Sequence, residues 1–331
     1  MSTATFPTLL QRFFTERLCT QMEASPNTIA GYRDTFRLLL RFASQLRSKT
    51  PTQMRIEDLD AALVGDFLVH VETARRNSAR SRNTRLAAIR SFFWFVAMNE
   101  PAYALHCQRI LAIPSKRYVR RVVEFLDQTE MDALLAAPDR STWVGRRDHA
   151  ILLLGLQTGL RVSELINLRC QDLVHGTGAH VWCEGKGRKQ RCTPLRRETV
   201  KILDAWLKER AGSDGDPMFP SIRGDRLSRD AMEHMVQKYA ASASTACSTL
   251  NGRRVSPHVL RHSTAMELHQ NGVDPSVIAL WLGHESVETV QVYTHADLRL
   301  KEKALARVTA TTPTTNRYRP DDALLAFLES L

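Results

Sequence analysis

Only one stretch of this chain is patterned as β-structure. Between Ala179 and Pro194, short β-prone runs flank Glu184-Gly185-Lys186-Gly187-Arg188-Lys189-Gln190, a combination that predicts a hairpin with a basic tip. The other periodic segments space their apolar residues by threes and fours, the mark of helices with one buried face. Many helices and one hairpin leave room for no more than a small antiparallel sheet, so the expected fold is mainly α. With 331 residues, 43% of them apolar, the chain can build two domains with separate cores.

The helix signals are local and physical. Ser25-Pro26 offers a cap and a first-turn proline before Ile29, Tyr32, Phe36, Leu39, Leu40 and Ala43. A second helix is expected from about Ile56 through Leu59, Leu63, Phe67 and Leu68. A third starts at Ser78, carries Arg80, Arg82 and Arg85 in its first turns, and ends in Phe92, Phe93 and Phe95, so one end can meet phosphates while the other anchors in a core. Thr129-Glu130-Met131-Asp132 resembles a capping box, Arg147 to Thr158 an apolar helix closed by Gly159. Helical patterns return at about Glu198 to Arg210, Ser228 to Ala241, Pro257 to Gln270 and Pro275 to Leu282.

Charge points to the class of partner. The net charge is +11, and residues 1–125 hold 19 Lys and Arg against 10 acids, whereas residues 126–331 are nearly balanced at 27 against 25. A basic first half attracts a polyanion, and double-stranded DNA is the expected partner. Pro114-Ser115-Lys116-Arg117-Tyr118-Val119-Arg120-Arg121 has a breaker and then four cations without helical periodicity, as a linker crossing a phosphate backbone would have. The expected division is a helical DNA-binding domain over residues 1–113, a basic linker over 114–125, a catalytic domain over 126–308 and a tail over 309–331. Six cysteines without a CxxC pair suit a reducing cytosol, and no apolar run is long enough to span a bilayer, so a cytoplasmic protein is expected.

The second half carries the chemistry. Attack on a phosphodiester needs cations on the non-bridging oxygens and a nucleophile in line with the leaving oxygen. Arg161 follows the helix-ending Gly159, and Arg261 lies inside a helix with His258 one short turn before it. Two arginine forks from separate elements could grip both oxygens. His258 and His262 also have the spacing of a zinc pair, but no third Cys or His ligand follows, so no metal and no other cofactor is expected. A tyrosine on an apolar helix is usually core, and Tyr293 gains its interest only from its neighbours.

Thr158-Gly159-Leu160-Arg161-Val162-Ser163-Glu164-Leu165, Gly185-Lys186-Gly187, Pro257-His258-Val259-Leu260-Arg261-His262, Leu282-Gly283-His284 and Val292-Tyr293-Thr294-His295 resemble, in order, the signatures of the tyrosine recombinases, the phage-integrase and Xer-type site-specific recombinases. The resemblance covers about residues 126–300 strongly and the N-terminal helices loosely, as the helical arm of a two-domain DNA clamp. It implies Tyr293 as nucleophile, forming a 3′-phosphotyrosyl link, with Arg161, Arg261 and His284 around the transition state. Lys186 would protonate the leaving 5′-oxygen, with Lys189 on the same turn as competitor, and His258 would accept or relay the tyrosine proton. Glu164 would orient Arg161, with His262 and His295 as hydrogen-bonding supports and Trp281 in packing. Segments 211–226 and 240–249 are longer and looser than in compact members.

The same resemblance implies strand exchange through a Holliday junction by a tetramer on two duplexes that carry a specific recombination site, whether one chain alone or mixed with a related recombinase. Integration, excision, resolution and transposition all fit. The short apolar helix after Pro320-Asp321-Asp322 would dock on a neighbouring subunit or on its own domain. A type IB topoisomerase-like activity and a non-catalytic DNA-binding protein are the alternatives.

Overall fold

The structure is a computed structural model that describes residues 5–119, 123–185, 190–284, 286, 289–290 and 293. It divides into two compact units, residues 1–120 and 121–331.

The first unit is all helix. Helix α1 (Phe6–Arg12) runs on into π-helical turns at Phe13–Gln21 and is followed by α2 (Pro26–Arg47), α3 (Ala61–Thr73), α4 (Ala79–Asn99) and α5 (Ala104–Leu111). Ser25 and Ser78 cap α2 and α4 as their positions predict, accepting the backbone N–H of Thr28 and Ser81. The expected helix from Ile56 is broken in two. Ile56–Asp58 forms one tight 3₁₀ turn, and α3 starts only at Ala61 because Asp60 accepts the Leu63 N–H at 2.7 Å and resets the helix there. The core is aromatic: Phe92 of α4 meets Phe13 and Phe36 with centroids 5.4 and 5.2 Å apart, both edge to face.

In the second unit α6 (Gln128–Ala136), α7 (Trp143–Thr158) and α8 (Val162–Asn167) precede the sheet, with α9 (Arg197–Arg210), α10 (Arg229–Ala243), α11 (Pro257–Gln270) and α12 (Pro275–Leu282) after it. The cap of α6 lies two residues before the expected one, since Asp127 and Glu130 form the reciprocal pair. Thr142 starts α7 four residues early by accepting the Gly145 N–H. The hairpin is β2 (His180–Glu184) and β3 (Gln190–Pro194), closed by the Glu184↔Gln190 pair. A third strand, β1 (Leu173–Val174), adds antiparallel to β2 through Leu173↔Val181 and is too short to show a period in sequence. The main core gathers Leu152, Leu154, Val181, Leu203, Trp206, Phe219 and Val236 around α7, and a smaller cluster joins Met266 of α11, Ile278 and Leu282 of α12, and Tyr293. Among the described residues no helix is long and apolar enough to cross a membrane.

Phe92→Ala should destabilise the first unit by about 3–5 kcal/mol through lost burial and the cavity left behind. An earlier first transition in urea unfolding of the full chain would show it.

Candidate active site

Helix ends build the site. At the C-terminus of α7, Gly159 adopts φ +62°, and a Cβ there would lie 2.6 Å from Leu282 Cδ2, so the bare α-carbon both turns the chain and admits the end of α12. The turn delivers Arg161 to the N-cap of α8. Arg261, on α11 and 5% exposed, donates from Nη1 to the Gly159 carbonyl at 2.6 Å and from Nη2 to the Leu282 carbonyl at 2.7 Å. One guanidinium thus caps the negative ends of two helix dipoles, where a cation is favoured.

Arg161 is anchored at both arms. Its Nη1 donates to Glu164 Oε1 at 2.8 Å and its Nη2 to the Gly283 carbonyl at 2.9 Å, while its backbone N–H reaches Glu164 Oε2 at 2.7 Å. From β3, Arg191 adds two more bonds to the same carboxylate, Nη1 to Oε1 at 3.0 Å and Nη2 to Oε2 at 2.7 Å. Burial alone would raise the Glu164 pKa, but the bonds and charge of Arg191 together with the backbone and side chain of Arg161 hold it at about 2. Glu164 is therefore fully ionised at neutral pH. Desolvation and then the Arg161 charge push Arg261 down to about 10, which leaves it charged. Among the described residues, three guanidiniums face one carboxylate, a surplus of positive charge that can hold an anion.

Tyr293 borders that cage. Its ring is 2% exposed, and its hydroxyl lies 3.0 Å from His262 Nδ1, with the His284 ring nearly parallel at a centroid distance of 6.5 Å. Burial raises the phenol pKa, opposed by Arg261. Burial, aided by neighbouring cations, lowers His262 and His284 to about 4, so both rings are neutral at pH 7. A neutral His262 can accept a proton from the phenol. His258 stands exposed at the rim, its pKa lowered by partial desolvation and then by Arg261. In this state His262, rather than His258, is the histidine on Tyr293. Trp281 packs against the small α11–α12 cluster.

The structure thus brings together Arg161, Arg261, His284 and Tyr293, with His258 at the edge; Lys186 and Lys189 lie outside the described residues, as do Arg120, Arg121, His295 and the tail from 294 onward. Arg191 is the component that sequence reasoning passed over. The signal for it was the alternation of the hairpin: Arg191 shares a face with the buried Thr193, whereas Gln190 and Cys192 are exposed, and an arginine pointing inward from a strand needs a partner.

The candidate DNA contacts in the first unit differ among themselves. Arg82 donates to the Pro114 carbonyl at 2.9 Å, and Lys116 pairs with Glu72 at 3.1 Å, so both are tied to protein. Asn83 bonds both the carbonyl and the N–H of Lys116, which fixes the start of the basic segment on α4. Arg85 is half-buried, and Arg80 and Arg117 are exposed.

A cage of arginines lies next to a phenol on a helical unit with a small antiparallel sheet, an arrangement that can hold an anion beside a phenolic oxygen. The model of the phage integrase family matches residues 124–299, and that of the phage integrase N-terminal SAM-like domain matches residues 11–100. The chain is 52% identical over 328 residues to a putative integrase/recombinase, y4rC, of Sinorhizobium fredii, with 99% of each chain covered. It is 33% identical over 294 residues to the tyrosine recombinase XerC of Pelobacter propionicus, covering 88% of this chain and 92% of that one. Among solved structures, the XerH site-specific recombinase bound to difH superposes with a TM-score of 0.64 at 21% identity, over 92% of this chain and 85% of that one. A lambda integrase tetramer bound to a Holliday junction gives 0.62 at 18%, over 88% and 78%. The chain belongs to the phage integrase family of tyrosine recombinases, enzymes that break and rejoin DNA.

Because its pKa is depressed in the fold, Glu164 contributes stability that is complete above the ordinary carboxyl value of 4.5 and is lost as pH falls toward 2. Glu164→Gln should cost about 3 kcal/mol at pH 7, as expected when one partner leaves a buried ionic network. In thermal melts the gap from wild type should narrow below pH 4.5.

Proposed function

We propose that the chain recombines DNA at a specific site, with Tyr293 as the nucleophile and strand exchange passing through a Holliday junction. The observation that carries this reading is the cage of Arg161, Arg191 and Arg261 around the carboxylate Glu164, beside the Tyr293 hydroxyl. A scissile phosphate supplies the missing negative charge.

In this reading the Tyr293 oxygen attacks the phosphorus, a 3′-phosphotyrosyl ester forms, and the bond to the 5′-oxygen breaks. Arg161, Arg261 and His284 stabilise the charge of the pentacoordinate transition state. The phenol proton passes to a neutral histidine, His262 as the ring already in contact or His258 as relay, and Lys186 returns a proton to the leaving oxygen. Reversal with a 5′-hydroxyl from the other duplex rejoins the strands. One phosphodiester is exchanged for another ester of similar energy, so the reading invokes no ATP and no metal.

The proposed partner is double-stranded DNA, met by the N-terminal unit through the exposed Arg80 and Arg117 and by the basic linker 114–125. Four chains, of one kind or mixed with a related recombinase, assemble on two duplexes, with residues 320–331 docking in trans. A cytoplasmic location belongs to the same proposal.

Trapping on nicked duplexes built from the DNA that flanks its own gene should yield a covalent adduct with wild type and none with Tyr293→Phe on a denaturing gel. Arg261→Ala should slow adduct formation at least about a hundredfold. On plasmids, site-dependent exchange supports the reading, whereas site-independent relaxation or binding alone counts against it. Deleting residues 320–331 should abolish synaptic assembly while leaving binding to a single site.

A further inference from the structure

We propose that Arg191 is a positioning residue of the cleavage site, holding both groups that anchor the Arg161 guanidinium. The inference rests on the reading of this site as a strand-cleavage centre.

Arg161 is aimed by two contacts, Nη1 on Glu164 and Nη2 on the Gly283 carbonyl. Arg191 touches both anchors. It grips Glu164 with two parallel hydrogen bonds, and its side chain passes close to the α-carbon of Gly283, where a Cβ would come within 2.8 Å of Nη1 and 3.1 Å of Cζ. Gly283 immediately precedes His284, so the same contact steadies the backbone that carries a second site residue. The Arg191 side chain is 12% exposed and both its terminal nitrogens are on the carboxylate, which leaves it to work through Glu164 and Gly283 rather than on the phosphate.

Geometry explains why arginine stands there. A planar fork bonds both carboxylate oxygens at once, whereas a lysine ammonium supplies the charge without that two-pronged geometry. Without Arg191, a carboxylate that is 4% exposed keeps, among the described residues, Arg161 as its one hydrogen-bonded cation. Among the described residues, the groups facing Glu164 are Arg161 at the start of α8, Arg191 on β3, Arg261 on α11 and the Cys183 thiol on β2, which burial pushes up to about 11 and so keeps neutral. Loss of Arg191 therefore moves protonation of Glu164 to higher pH.

The test is single-turnover cleavage of the nicked duplex at saturating protein, with DNA affinity measured separately, for wild type, Tyr293→Phe, Arg191→Ala, Arg191→Gln and Arg191→Lys. Arg191→Ala should cut the cleavage rate by about a hundredfold, the size expected when a catalytic group is misplaced, while affinity stays within about threefold. Its rate should also fall on the acid side of a pH profile where wild type stays level. Arg191→Lys should recover part of the rate and Arg191→Gln none.

Wild-type speed in a folded Arg191→Ala variant, or a slow variant with the wild-type pH profile and no rescue by lysine, overturns the inference. Should Arg191→Ala fail to fold, Arg191→Lys decides. Wild-type rate overturns the inference; a slower rate at unchanged affinity with a new acid limb supports it. Adduct from wild type but not from Tyr293→Phe secures the parent reading independently, whereas no adduct from wild type overturns both.

Discussion

A buried carboxylate holds the site of this recombinase together. Among the described residues Glu164 accepts four hydrogen bonds, two from Arg161 and two from Arg191, and without it two guanidiniums would face each other across the start of α8. Burying an anion is costly unless cations surround it, and here the surroundings are cationic enough to keep it ionised far into acid. The arrangement converts a liability of folding into aim. The charge the carboxylate leaves uncancelled is what a phosphate can use.

Backbone carbonyls do the rest. Gly159, Leu282 and Gly283 sit where α7 and α12 end, and their oxygens, which have no partner inside their helices, are taken by Arg261 and Arg161. A pair of helix termini that would otherwise need water or a side-chain cap instead fixes two site arginines. The bonds that finish the helices are thus the bonds that aim the guanidiniums, and a change that loosens one helix end also turns a guanidinium.

How much of this was legible in the sequence depended on range. Ser25, Ser78 and Gly159 act within a few residues of themselves, and their elements appeared where their side chains place them. The expected starts at Ile56 and Thr129 differ from the observed caps Asp60 and Asp127 because neighbouring polar residues compete to cap, and spacing alone does not say which wins. The ordered signatures pointed to Arg161, Arg261, His284 and Tyr293, which the fold does bring together. Arg191 was missed since its partner is 27 residues away and its inward direction becomes visible only once the hairpin register is known. The engagement of Arg82 by Pro114 and of Tyr293 by His262 likewise depends on tertiary placement.

Gly283 carries three demands at once: it ends α12 with φ +65°, turns its carbonyl to Arg161, and presents a bare α-carbon to Arg191. Every missense change in a glycine codon adds at least one carbon at that α-carbon. Any side chain here therefore has to bear a positive φ and displace the Arg191 guanidinium at the same time, which couples the turn to the strand opposite.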